Sequence, residues 1–100
     1  MFHCEAMKIQ LRSATYISKI IGSRKTNIEM PEPSTLHDLL RELTDIYGQE
    51  FYDAVCDEGG YPENKVAILV NGSSAAAIGG VGILLGDGDD VLILPVIGGG

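Results

Sequence analysis

The chain has 100 residues, of which 45% are hydrophobic and 21% charged, with a formal net charge of −7. That length suits one domain with its own core, the apolar content argues against a disordered chain, and no apolar run approaches the ~20 residues of a membrane helix. The first seven residues lack the basic start and long apolar stretch of a signal peptide, so a cytoplasmic location is expected, and the acidic balance argues against direct nucleic-acid binding, which rests on Lys and Arg neutralising phosphates.

Residues 1–7 are expected to be frayed and to lie outside the folded domain, which is placed at residues 8–95. Residues 8–12 alternate polar and apolar, predicting a strand with Ile9 and Leu11 inward. Residues 13–23 read as a connection in which Ile17, Ile20 and Ile21 tuck against the core. Residues 24–30 form the second expected strand, with Ile28 and Met30 inward, and the Pro31-Glu-Pro-Ser34 run ends it.

Residues 35–47 carry the clearest helical pattern: Leu36, Leu39, Leu40, Leu43, Ile46 and Tyr47 form a one-sided stripe. Thr35 with Asp38 resembles a capping box, and Gly48 is a natural stop. A short helical turn is expected at 50–56 around Phe51 and Val55, then a polar loop over 57–65. Residues 66–70 predict a strand, Asn71-Gly72 a turn, residues 75–78 a short edge strand, and 79–82 a further turn. Leu84 and Leu85 are expected to return to the core. A tight turn at 86–89 leads into the last strand, 91–94.

The expected fold class is α+β, a mixed sheet of four to five strands packed on one main helix. The last strand is apolar without a break, so it belongs inside the sheet. Beside the first strand it forms a parallel central pair, the arrangement of a ubiquitin-like β-grasp. Alternation then places Val66, Ile68, Val70, Val91 and Ile93 under the helix, and Ala67, Leu69, Leu92 and Leu94 on the opposite, open face. Such a patch marks either a partner surface or a surface covered by residues 51–65.

The acidic charge either steers the chain towards a basic partner surface or only keeps it soluble. Cys4 and Cys56 are widely separated, which suits reduced structural thiols. With His3 and His37 they show no metal-ligand spacing, so no metal is expected. The glycines of 79–88 lack the Lys-Ser/Thr and following helix of a phosphate loop.

The sequence ends in Gly98-Gly99-Gly100 after a strand that stops at Pro95. Glycines contribute nothing to a core and are costly to order. They suit a tail, residues 96–100, whose carboxylate enters a narrow site on another protein. A flexible linker or a cloning remnant is the plainer reading.

Val70-Asn71-Gly72, Gly79-Gly80, the run from Leu85 to Val91 with Asp87-Gly88-Asp89, Leu94-Pro95 and the glycine ending together resemble the MoaD/ThiS family of ubiquitin-like sulfur carriers. Thr35 with Asp38-Leu39-Leu40 fits that family's helix start. Pro95, five residues before the last glycine, leans towards the MoaD branch, the small subunit of molybdopterin synthase, whereas the triple glycine is commoner in ThiS.

The resemblance implies that an activating enzyme uses ATP to adenylate Gly100, that sulfur replaces AMP to leave a thiocarboxylate, and that Gly98 and Gly99 give the tail access. It implies sulfur delivery to a pterin precursor on the molybdopterin synthase large subunit, with catalytic residues on the partners and no cofactor bound here. Ala67, Leu69, Leu92, Leu94, Pro95 and Val96 are then the expected partner-binding residues, with no membrane and no direct nucleic-acid contact. Thiamine thiazole or tRNA as sulfur acceptors, a protein modifier joined to lysines, and a plain interaction domain are the alternatives.

Overall fold

The computed structural model describes residues 6–56, 59 and 65–96. Strand β1 (Ala6–Ser13) alternates exposed or half-buried positions with buried Met7, Ile9 and Leu11, the period-two pattern of a strand with one face on a core. It pairs antiparallel with β2 (Lys25–Pro31), Met7 opposite Met30 and Ile9 opposite Ile28. The strand therefore starts earlier than the sequence pattern suggested. Ala6 and Met7 belong to the domain because Met7 is fully buried, and burying such a side chain stabilises by about 1.5–3 kcal/mol. The rest of the expected frayed terminus, residues 1–5, lies outside the described residues.

The connection between these strands contains a helix, α1 (Thr15–Ile21). Ile17 and Ile21 are buried and Ile20 is half-buried, as expected. Their i, i+3, i+4 spacing is a helical stripe, too short to stand out beside poorly helix-forming Ile residues.

After β2, a two-residue strand β3 (Ser34–Thr35) leads into α2 (Leu36–Tyr47). Thr35 is the N-cap: the Asp38 N–H donates to Thr35 Oγ1 at 3.1 Å and the Thr35 N–H donates to Asp38 Oδ2 at 2.9 Å, a reciprocal capping box. The bond from the Thr35 N–H, and after it the Thr35 hydroxyl, hold the Asp38 carboxyl below its ordinary value. Leu36, Leu39, Leu40 and Leu43 are buried, whereas Ile46 at the end of the stripe is 49% exposed. Gly48 ends α2 and at once begins α3 (Gln49–Val55), which buries Phe51 and Val55.

Strand β4 (Val66–Val70) turns at Asn71-Gly72 into β5 (Ser73–Ser74). Both turn residues have positive φ, 52° and 86°, the geometry that favours Asn-Gly in a two-residue hairpin. The expected edge strand at 75–78 is instead a helical turn, α4 (Ala75–Ile78). The pairing edge is taken by the serines, and three consecutive alanines favour helix. After a 3₁₀ turn (Gly80–Gly82), β6 (Leu84–Leu85) pairs with β3 in a separate two-stranded ribbon. Leu85 is buried as expected, but Leu84 is 70% exposed: successive strand residues face opposite ways, so only one of them can reach the core.

The last strand, β7 (Asp90–Pro95), lies in the middle of the main sheet, whose order is β2-β1-β7-β4-β5. It is parallel to β1 and antiparallel to β4. This is a mixed five-stranded ubiquitin-like β-grasp. The long helix is joined by α1 and α3, so the helical layer is more than the one main helix expected. One core unites Met7, Ile9, Leu11, Ile17, Leu36, Leu39, Leu40, Leu43, Phe51, Val91 and Ile93.

Candidate functional site

The side of the sheet away from the helices presents every second residue of β1, β2, β4 and β7. Val66, Ile68, Val70, Val91 and Ile93 are buried, and Ala67, Leu69, Leu92 and Leu94 are half-buried on the other face. Ala67 stands opposite Leu94 and Leu69 opposite Leu92, so the four apolar side chains form two adjacent cross-strand pairs. Of residues 51–65, expected as one possible cover, 51–55 form α3, which packs against α1 and α2 in the helical layer, and 57, 58 and 60–64 lie outside the described residues.

The register extends this patch sideways. Lys25, Arg12, Leu92, Leu69 and Ser74 form one continuous row across five strands. Asn27, Gln10 and Asp90 form the neighbouring row. Within these rows Arg12 Nε donates to Asp90 Oδ1 at 2.8 Å and Arg12 Nη2 to Oδ2 at 2.6 Å. Gln10 Nε2 adds a third bond to Oδ1, at 2.8 Å. The bond from Arg12 pulls the Asp90 carboxyl below its ordinary value; Gln10 and the charges of Arg12 and Lys25 act in the same direction, against a smaller cost of burial.

The end of β7 remote from the tail is held by a polar network. The Asp90 N–H donates to Asn71 Oδ1 at 2.9 Å, and Asn71 Nδ2 donates to Asp89 Oδ1 at 3.0 Å. Asp89 Oδ2 accepts from the Gly86 N–H at 2.7 Å, closing the 86–89 turn. Asp87 Oδ1 accepts from the Lys8 N–H at 2.7 Å and ties the turn to β1. Asp87 and Asp89 thus serve turn geometry, and among the described residues no three His, Cys, Asp or Glu side chains are grouped to hold a metal ion.

At the other end, Pro95 is the half-buried last residue of β7, opposite Val66. The Val96 N–H still donates to the Lys65 carbonyl at 2.7 Å, so the ladder runs one step past the proline. Val96 is 45% exposed, and alternation sets it and Lys65 on the face of Leu94 and Ala67. Among the described residues the ladder ends at that bond, beside the apolar patch. Gly98, Gly99 and Gly100 lie outside the described residues, as does Cys4. Cys56 is buried.

The apolar members of this face were readable from alternation alone. Arg12, Lys25, Lys65 and Asp90 were not singled out. Their parity put them on polar faces, but only register shows that those faces adjoin the patch. No helix among the described residues is long and apolar enough to cross a membrane.

Comparison with known proteins gives a consistent result. Small archaeal modifier protein 3 of Haloferax volcanii is 27% identical over 97 residues, covering 94% of this chain and all of that protein. The solution structure of the H. volcanii HVO 2177 protein superposes with a TM-score of 0.81 at 26% identity, covering 95% of this chain and 88% of its own. A putative molybdopterin converting factor, subunit 1, from Pyrococcus furiosus superposes with a TM-score of 0.72 at 28% identity, over 91% of this chain and 99% of its own. The model of the ThiS family matches residues 15–100. The chain belongs to the ThiS family, ubiquitin-like β-grasp proteins of the sulfur-carrier and modifier type.

Proposed function

We propose that this chain is a sulfur carrier whose reactive group is the Gly100 carboxylate. A partner enzyme joins that carboxylate to the AMP moiety of ATP with loss of pyrophosphate. A sulfur donor then displaces AMP and leaves a thiocarboxylate. The acceptor is a pterin precursor bound to a molybdopterin-synthase large subunit, and this chain contributes the sulfur-bearing end while its partners contribute the catalytic residues.

The observation that carries the reading is where the described part of the last strand ends. The last ladder bond among the described residues, from the Val96 N–H to Lys65, lies at the rim of the half-exposed Ala67, Leu69, Leu92 and Leu94 face. A partner gripping that face holds the tail at a fixed starting point. From Pro95 to Gly100 an extended chain reaches about 20 Å, at ~3.3–3.6 Å per residue. Ordering each of those residues costs about 1–2 kcal/mol, so the globular face has to supply much of the affinity. The family match reaching residue 100 and the likeness to the P. furiosus protein support the assignment.

Removing Gly99-Gly100 tests it. The shortened chain is expected to keep its fold and lose activation by the cognate enzyme, and intact mass of the full chain from cells should show one oxygen replaced by sulfur. Sulfur transfer by the shortened chain would sink the proposal. The full-length likeness to an archaeal modifier favours a second reading, in which activated Gly100 forms isopeptide bonds with lysines. A tagged chain separates the readings: a synthase large subunit on the beads favours the first, a ladder of lysine conjugates the second, and a thiazole synthase or tRNA-thiolation enzyme redirects the sulfur to another acceptor.

A further inference from the structure

Among the described residues, the strand positions of the open face carry more cations than carboxylates, against the acidic balance of the whole chain. Among the described residues four cations stand on or beside it: Lys8, Arg12 and Lys25 from β1 and β2, and Lys65 beside Val96. Two carboxylates stand at strand positions of the face, and those of Asp87 and Asp89 border it, bonded to the Lys8 N–H and to Asn71. Asp90 is clasped by Arg12, and Glu29 lies opposite Lys8, away from the apolar pairs. Lys25 and Lys65 are exposed and make no ion pair among the described residues. They sit at two separated points of the patch: Lys25 at the end of the row through Arg12, Leu92 and Leu69, and Lys65 beside Val96. The carboxylates of Asp38, Glu42, Asp45, Glu50 and Asp53 belong to α2 and α3, in the helical layer behind the sheet.

We infer that the face docks onto a protein surface with an apolar ridge bordered by carboxylates, one near the tail-entry channel to meet Lys65 and one across the ridge to meet Lys25 and Arg12. The inference rests on the proposed carrier function and names the chemistry of the partner's surface. It runs against the basic-partner reading, one of the two drawn from the total charge of −7. Distance decides between the two. A helix with its side chains is ~10–12 Å across, so acids on the outer side of α2 and α3 lie beyond the ~8 Å screening length of physiological salt. Lys25 and Lys65 instead stand on the same side of the sheet as the leucines, Lys25 two strands from Leu92 in one row. The apolar pairs alone would let a partner slide along the sheet. Two cations at separated points set the register that aims the tail, and like-charge contacts penalise the wrong partners. The Arg12–Asp90 clasp leaves further guanidinium donors, since Arg carries five N–H groups, on a side chain 44% exposed.

The test uses the full chain and its cognate activating enzyme, with ATP–pyrophosphate exchange as readout. Lys25→Glu and Lys65→Glu are each expected to raise the KM for this chain about tenfold at low salt, the range in which rim charges alter association, with kcat preserved. Lys25→Gln and Lys65→Gln should give smaller shifts in the same direction, which separates charge from any loss of fold. Rising salt should raise the wild-type KM and barely change that of the double reversal. Asp45→Asn and Glu50→Gln, in the helical layer, should leave KM within twofold. A KM that is unchanged or lowered by the reversals overturns the acidic-rim partner and leaves the carrier reading standing. No exchange with the wild-type chain overturns the carrier reading and this inference with it.

Discussion

The Arg12 guanidinium clasps the Asp90 carboxylate at two points, Nε to Oδ1 at 2.8 Å and Nη2 to Oδ2 at 2.6 Å, and so joins the first strand to the last across 78 residues of sequence. A two-point fork restrains both partners and has a stronger geometric preference than a single contact. Here it neutralises a carboxylate in the row beside the apolar pairs and ties β1 to β7 across their parallel pairing.

The clasp has a pH signature. The folded state lowers the Asp90 carboxyl pKa, led by the bond from Arg12, so its unfolded value lies higher. Its contribution is therefore fully present above the unfolded value and is lost as pH falls through the folded one. Asp90→Asn is expected to lower the denaturation midpoint modestly at neutral pH, because both partners reach solvent and water screens the pair. It should also flatten the decline in stability below the usual carboxylate range. Urea titrations from neutral to acid pH read both effects, and an acid limb as steep as that of wild type would contradict this role.

Leu69 and Leu92 stand opposite each other on the half-exposed face. Leu69→Asp or Leu92→Asp is expected to weaken binding to the activating enzyme at least tenfold, as buried apolar anchors of an interface do, while changing the melting temperature far less. Calorimetric titration beside a thermal melt separates the two. Unfolding of both variants would make these residues core.

Gly79 has φ +135°, and a Cβ added there would lie 2.6 Å from Ile83 Cγ2. Backbone strain and contact act together, so Gly79→Ala is expected to cost about 1–3 kcal/mol. Gly82, with nothing within 4 Å of an added Cβ, is the control, and its alanine variant should be nearly neutral. Chemical denaturation of the two side by side is sufficient.

Thr35 caps the principal helix through the Asp38 N–H. Thr35→Ala is expected to cost about 1 kcal/mol, within the usual range of ~0.5–2 for a lost cap, and Thr35→Ser should restore most of it. Equal loss in both variants would point to the β3–β6 ribbon, where Thr35 pairs with Leu84, rather than to the cap.

Much of this molecule follows from local pattern. The α2 stripe, the Thr35–Asp38 box and the Asn71-Gly72 turn are short-range features, settled by helical spacing, one reciprocal pair of hydrogen bonds and two positive φ values. The alternation in β4 and β7 placed Ala67, Leu69, Leu92 and Leu94 on a common face because side chains along a strand must point to opposite sides. Helix α1 was hidden because its stripe is only seven residues long. The direction of Leu84 was hidden because two adjacent leucines carry no parity until the ribbon with β3 exists.

Composition reported a charge of −7, and a sum has no geometry. Only register brought Lys25 and Arg12 into line with Leu92 and Leu69, and only the final ladder bond set Lys65 beside Val96. The sequence by itself determined which residues are apolar, which turn, and which end is rich in glycine, since these depend on neighbours a few positions apart. The tertiary structure decided which charges border the apolar face, because pairing between strands far apart in the chain is set by the packing of the whole core.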